Sequence, residues 1–214
     1  MTPFVNVLWP TGLSVKNVTA SAETSTTTTH TVTLGAYSAG DLIIVLSRTA
    51  ASDAQTPPSG WTQIIARDDG GDTRGWYRVM DGSEGSTVTY TAENARRSAS
   101  IAYVIEGAAT GEASFVVGSI TGGLDPPSVT PGWTADTLWI TMAGLRQTDN
   151  TLTMPSGYGN QVDSETGANQ AVSTHCRIAS AYRFNEAASE DPATWGSSGT
   201  VANPHAATIA VRPA

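Results

Sequence analysis

Three aspartates lie close together in one glycine-containing segment of the chain. Residues 67–72 read RDDGGD, so Asp68, Asp69 and Asp72 could present carboxylate oxygens to one hard cation such as calcium. The segment lacks the ligand spacing and the closing glutamate of an EF-hand loop. A solvated acidic hairpin loop accounts for the same residues without a metal. We therefore expect no resident metal and no other cofactor, and keep these three aspartates as the candidates for a bound cation.

Glutamates are the second group that could do chemistry, because glycosidases use two acids that flank the sugar. Glu84 lies in a turn-like segment, DGSEGS at 81–86, and Glu190 also lies in a turn. Other glutamates available for such a pair are Glu106, Glu112 and Glu165. Because turns leave backbone groups to be satisfied, we expect Glu84 and Glu190 to serve the turns in which they lie and not one shared active site.

The chain contains no motif for nucleophilic catalysis. His30, His175 and His205 lie outside any pattern that pairs a histidine with a serine or cysteine nucleophile, and no G-x-S-x-G turn is present. His175 and Cys176 are neighbours, but on a strand they would point to opposite faces. We therefore expect a protein that is not an enzyme.

Two tryptophans are candidates for contact with a glycan, since an aromatic ring offers a large apolar face. Trp139 alternates with Leu138 and Ile140, which would place it on the outward face of a strand. Trp61 follows Pro-Ser-Gly at the start of a predicted strand. The alternative is that these rings close the end of a hydrophobic core.

The second half of the chain repeats the order of short motifs in the first half. DLIIV at 41–45 corresponds to DTLWI at 136–140, PSGW at 58–61 to PSGY at 155–158, YRV at 77–79 to YRF at 182–184, and IAYV at 101–104 to TIAV at 208–211. The offset grows from 95 residues (41 to 136) to 107 (101 to 208), as expected when strands are kept and loops change length. Glu84 then falls opposite Glu190.

The elements that must position these residues read as strands. Leu42–Leu46 is an unbroken apolar run, which predicts a central strand covered on both faces. No segment has a sustained helical period with caps. We predict an all-β, jelly-roll-like β-sandwich that forms a single domain over 14–214, built from two pseudo-equivalent repeats at about 30–110 and about 125–214.

An apolar arm over residues 1–13 precedes this domain and ends in a turn. Its apolar side chains, and therefore our interface candidates, are Phe4, Val5, Val7, Leu8 and Trp9. Two alternatives remain for the arm. It packs on its own domain as an edge strand, or it inserts against a neighbouring subunit.

Composition excludes several classes of partner. The chain has 214 residues, a net charge of −8 and a single lysine, Lys16. An acidic surface does not suit phosphate-backbone binding, so we expect no nucleic-acid partner. Cys176 is the only cysteine, so no intramolecular disulfide forms. We see neither a signal-peptide pattern nor an apolar run of membrane-spanning length, and expect synthesis in a cytoplasm and no membrane partner.

Four segments together resemble a β-sandwich module found among structural proteins of tailed bacteriophages and gene-transfer particles. They are PSGWT at 58–62, YRV at 77–79, DGSEGSTVT at 81–89 and AYVIEGA at 102–108. The resemblance covers residues 35–110 well. It is weaker in the second copy, where Ser-Glu-Gly becomes Ser189-Glu190-Asp191.

The resemblance implies work on a virion surface and transfers no catalytic residue. In such particles these modules occur as head decoration or spike proteins and in tails or fibres. We therefore expect a non-enzymatic capsid decoration, cement or head-spike protein, made in the host cytoplasm and located in the virion. Its partners would be its own copies and the major capsid protein. The alternative is a tail or fibre module that binds a cell-surface glycan.

Overall fold

The computed structural model describes residues 12–110, 115–168, 170 and 174–214, and it contains strands but no helix within those residues. The strands are β1 (Ser14–Thr33), β2 (Leu42–Thr49), β3 (Gln55–Thr56), β4 (Thr62–Arg67), β5 (Thr73–Val79), β6 (Thr87–Glu106), β7 (Phe115–Val117), β8 (Asp136–Leu145), β9 (Leu152–Thr153), β10 (Gly159–Glu165), β11 (Arg177–Glu186), β12 (Gly196–Ser197) and β13 (His205–Val211).

Two antiparallel sheets pack face to face, and each half of the chain supplies one of them. The first sheet has the order β1-β6-β2-β5-β4, with β3 paired to β6. The second has the order β10-β11-β8-β13-β7, and β9 pairs with β12 in a separate ribbon. The predicted all-β sandwich is thereby confirmed.

The two sheets share one strand order when their strands are matched along the chain. Matching β1, β2, β4, β5 and β6 with β7, β8, β10, β11 and β13 turns the first order into the second. The observed order fits two pseudo-equivalent repeats. The repeat itself and the jelly-roll description stay predictions.

Strand β2 is buried on both faces, as its apolar run predicted. Leu42, Ile44 and Leu46 enter the cluster that fills the space between the sheets. Ile43 and Val45 point the other way, into a second cluster on the outer face of the first sheet. Because side chains alternate between the two faces of β2, this one apolar run contributes to two hydrophobic clusters.

The outer face of the second sheet is covered as well. Leu138, Ile140 and Met142 of β8 lie in the cluster between the sheets, whereas Trp139 lies in a third cluster with Leu152 and Trp195. Side chains from the segments between strands complete this third cluster. Each sheet is therefore apolar on both of its faces.

Strands β1 and β6 form one long ribbon. Their pairing runs from Ser14↔Glu106 to Thr33↔Thr87 and contains three register shifts. Such shifts let paired strands bend. The far end of the ribbon accordingly covers the outer face of the first sheet, where Tyr90 packs on Trp76 with ring centroids 4.8 Å apart.

Candidate functional site

The three aspartates proposed as cation ligands are not brought together. Asp69 is exposed and pairs with Arg67 (Oδ2–Nη2 3.0 Å), and Asp68 is also exposed. The buried Asp72 instead contacts Arg74, with Oδ1 2.8 Å from Nη2. Burial raises the pKa of the Asp72 carboxyl to about 6, against the opposing effect of Arg74. In the described part of the chain, no three His, Cys, Asp or Glu side chains are grouped to hold a metal ion.

Instead, a buried polar cluster ties the two sheets together at one end of the sandwich. Arg48 of β2 donates from Nη1 to Thr73 Oγ1 (2.8 Å) and to His205 Nδ1 (2.9 Å). On the other side of the ring, His205 Nε2 donates to the carbonyl of Asp69 at 2.9 Å. Burial, then repulsion by Arg48, lowers the pKa of His205 to about 4. His205 is therefore neutral near pH 7, and its role in this cluster is to link Arg48 to the backbone of Asp69.

Cys176 borders the same cluster and is not a nucleophile. Its Sγ donates to the carbonyl of Arg48 at 3.3 Å, and the residue is fully buried. Burial raises the pKa of the thiol to about 12, so the reactive thiolate is not populated near neutral pH. The sequence did not indicate that Arg48, Cys176 and His205 would meet, because pairing between sheets carries no local sequence pattern.

The expectation that both glutamates serve their turns holds for Glu84 and not for Glu190. Glu84 accepts hydrogen bonds from the backbone N–H groups of Asp81 (2.8 Å) and Gly82 (3.1 Å), and lies 3.0 Å from Arg78. This confirms that Glu84 satisfies turn backbone groups. Desolvation raises the pKa of Glu84, but the backbone hydrogen bonds together outweigh it, so the pKa lies below its ordinary value.

Glu190 is held by side chains. It forms an ion pair with Arg183 and accepts a hydrogen bond from the hydroxyl of Tyr158 at 3.0 Å. Tyr158 belongs to the outer cluster of the second sheet, whereas Trp61, its counterpart beside Glu84, belongs to the outer cluster of the first. The two acids therefore lie on opposite outer faces of the sandwich and cannot flank one sugar.

The expectation that Trp139 faces outward to a glycan is wrong. Trp61 is also buried and offers no ring face to a glycan. Trp139 is fully buried and its Nε1 donates to the carbonyl of Asn185 at 3.1 Å. Trp61 is 8% exposed and packs with Trp76 and Met80. Both rings close cores, which was the alternative interpretation. Alternation separates two faces of a strand but does not say which of them other segments cover.

The arm candidates Phe4, Val5, Val7, Leu8 and Trp9 lie outside the described residues. The first described apolar residue after them is Leu13. It is partly buried against the cluster between the sheets, immediately before β1 begins. The arm therefore joins the sandwich at the β1 edge of the first sheet.

The two sides of the sandwich differ in how their sheet edges meet. On one side the edge strands β1 and β10 contact each other, and Ser164 Oγ donates to the carbonyl of Ser21 at 2.7 Å. On the other side β4 and β7 flank a groove of about 390 Å³. The groove is lined by residues 64–67 of β4 and by residues 117–120. One side is therefore closed and the other is open.

The open groove combines a few apolar side chains with polar backbone edges that are unpaired within the described residues. Ile64, Val117 and Ile120 are half-buried and pack against the cluster between the sheets. Within the described residues, β4 pairs only with β5 and β7 only with β13. Arg67 crosses one end of the groove, with Nη1 3.4 Å from the carbonyl of Ile120. A groove that places unpaired sheet edges beside apolar side chains is suited to bind an extended segment of protein.

Comparisons with the models of known protein families, with curated proteins and with solved structures found no match for this chain. A search of the described residues for a helix long and apolar enough to cross a membrane also found none.

Proposed function

We propose that the protein is a non-enzymatic structural protein of a bacteriophage virion that acts through oligomeric protein–protein contacts. Our first assignment is a capsid decoration, cement or head-spike protein. The observation that carries the proposal is the open groove between β4 and β7, in which backbone edges that are unpaired within the described residues lie beside apolar side chains. Such an edge binds protein by adding a strand, and in an unassembled protein it is a liability for aggregation.

The charge of the chain supports the same role. A net charge of −8 makes free copies repel one another, which keeps an assembling protein soluble until specific contacts form. Stable attachment to the major capsid protein and to other copies would need interfaces of about 1,000 Å² or more. Eight residues line the groove, whereas such an interface takes about 20–30 residues from each partner, so the groove would be the centre of a larger contact.

The contacts of the buried histidines and of the cysteine fit a non-enzymatic role. Among the described residues, His205 links Arg48 to a backbone carbonyl, His30 is buried between Ser98 and Tyr90, and Cys176 is a buried thiol. Each is used for packing or for hydrogen bonds within the fold.

The motifs that resemble phage structural modules lie in turns and in the hydrophobic clusters, where they stabilise the fold. Gly60 and Gly82 have φ values of 79° and 95°, a region that favours glycine, and Glu84 binds the turn backbone between β5 and β6. These residues therefore support a shared architecture, and the virion setting comes from the resemblance.

The alternative is a tail or fibre module that binds a cell-surface glycan. Burial of Trp61 and Trp139 removes the two aromatic rings on which that alternative relied. No other described feature favours it over the assembly role.

The proposal is tested by counting copies of this chain in purified particles by quantitative mass spectrometry, with the major capsid protein as internal standard. Hundreds of copies support a decoration or cement protein, and a few to a few dozen support a spike or a tail-tip component. Absence of the chain from intact particles overturns the virion assignment.

A further inference from the structure

We propose that the N-terminal arm of one copy docks as an added strand in the β4–β7 groove of a second copy. The inference deepens the proposed structural role and rests on it only in treating the protein as one that assembles with itself. Four features of the groove and the arm carry it: strand length, side-chain alternation, charge and reach.

The lengths of the two partners match. Strand β4 has six residues, Thr62–Arg67, and its outer edge is unpaired within the described residues. In the arm, Pro3 and Pro10 bracket residues 4–9, which read FVNVLW. Proline has no N–H group and ends a hydrogen-bonded ladder. The arm therefore offers one six-residue run in which every residue has a backbone N–H group and none interrupts a hydrogen-bonded ladder.

On one face of this run the side chains match the apolar side chains of the groove. In an extended strand, Val5, Val7 and Trp9 point to one side and Phe4, Asn6 and Leu8 to the other. The first set is apolar apart from the indole N–H of Trp9, and it suits the apolar side chains of Ile64, Val117 and Ile120 in the groove. The second set carries the polar residue, Asn6, and is assigned to the outer face.

Charge favours the same fit. No residue between Met1 and Lys16 has a charged side chain, in a protein that is otherwise strongly acidic. Burying a charged group in an apolar groove without a partner costs several kcal/mol, and this arm avoids that cost. The arm can thus enter the groove without burying a charge, and the unpaired edge of β4 offers partners to those backbone groups of the arm that point toward it.

Reach selects a second copy over the arm's own domain. A strand added outside β4 lies five strand spacings from β1, which is about 24 Å at 4.8 Å per spacing. Trp9 is separated from Ser14, the first residue of β1, by five residue steps, which extend to about 17 Å at most. Residues 4–9 therefore cannot lie along their own β4, whereas the groove of a neighbour has no such limit.

The first test compares the full chain with three variants by analytical ultracentrifugation. We expect the full chain to self-associate, and deletion of residues 1–9 to leave a monomer. Val7→Asp places a carboxylate on the face assigned to the groove and should weaken self-association at least about 100-fold. The matched control, Asn6→Asp, adds the same charge on the opposite face and should assemble like the full chain.

The second test identifies the occupant by cross-linking. A Val7→Cys chain is mixed with an Ile64→Cys chain under mild oxidation, and we expect a disulfide-linked heterodimer. An intrachain cross-link in the Val7→Cys/Ile64→Cys double variant, with no heterodimer in the mixture, would place the arm on its own domain and overturn the inference. Equal behaviour of Val7→Asp and Asn6→Asp, or continued assembly without residues 1–9, would do the same.

These results are separable from the virion assignment. If the chain is abundant in particles but the arm variants do not change its self-association, the proposed function stands and this inference fails. If the chain self-associates through the arm but is absent from particles, this inference stands and the assignment to the virion fails.

Discussion

Arg48 and His205, 157 positions apart in the chain, meet between the two sheets with Nη1 2.9 Å from Nδ1. Alternation places both side chains there, since Arg48 follows Leu46 of β2 by two residues and His205 precedes Ala207 of β13 by two. A guanidinium can only donate, so the imidazole must accept at Nδ1 and carry its proton on Nε2. The pair therefore holds the sandwich together only while His205 is neutral.

This relationship predicts a loss of stability in acid. The pKa of His205 is about 4 in the folded protein and about 6.5 in the unfolded chain, so the unfolded state binds the extra proton as the pH falls from 6.5 to 4. The stabilisation is fully present above pH 6.5 and is lost by pH 4. At 1.36 kcal/mol per pKa unit its size is about 3 kcal/mol.

The measurement is urea unfolding from pH 7 to pH 4 for the wild type and for His205→Asn, which keeps an acceptor near Nδ1 but does not titrate. We expect the wild type to lose stability relative to the variant over this range. Asp72, with a pKa raised to about 6, acts in the opposite sense in both proteins and cancels in the difference. Parallel pH profiles would contradict the prediction.

Cys176 should be unreactive in the folded protein. The thiol is fully buried and its pKa is raised to about 12 by burial, so a thiol reagent has neither access nor a thiolate to attack. We expect labelling by a maleimide to proceed only as fast as the protein unfolds, and to become rapid in denaturing urea. Rapid labelling of the native protein at pH 7 would show that the cluster around Arg48 opens.

Replacing Trp139 with alanine should destabilise the fold. The ring is fully buried in the outer cluster of the second sheet, and removing a buried tryptophan typically costs about 3–5 kcal/mol. Phe184 on the adjacent strand β11 is 39% exposed and provides the control, because Phe184→Ala removes a ring that is only partly buried. Urea unfolding of both variants checks the expected order, and equal losses would contradict the assigned burial.

The two turn glutamates should differ in what they contribute to stability. Glu190 is nearly fully buried, so Glu190→Gln leaves the facing Arg183 without its counter-ion and should cost about 2 kcal/mol or more. The Glu84 side chain is also mostly buried, but its partner Arg78 has a second counter-ion in Asp81, and Glu84→Gln keeps one acceptor oxygen for the backbone N–H groups. We expect a loss of about 1 kcal/mol or less. Thermal unfolding of both variants gives the ranking, and a larger effect at Glu84 would contradict it.

Local patterns in the sequence were sufficient for the fold class. The apolar run Leu42–Leu46 predicted a strand covered on both faces, and β2 contributes to two clusters. Likewise, the turn around Glu84 was expected to use that carboxylate for its own backbone, as it does. These features depend on side-chain alternation and on hydrogen bonds within a few residues. Both can be inferred from residues that are close together in the sequence.

The candidate site required the tertiary structure. Whether Trp139 faces solvent depends on distant segments that cover its side of the sheet, and the meeting of Arg48 with His205 depends on how two sheets align. The sequence by itself determined which side chains share a strand face and where strands turn. Only packing decided which faces are covered and which sheet edges stay open, because burial is set by contacts between residues far apart in the chain and not by neighbours.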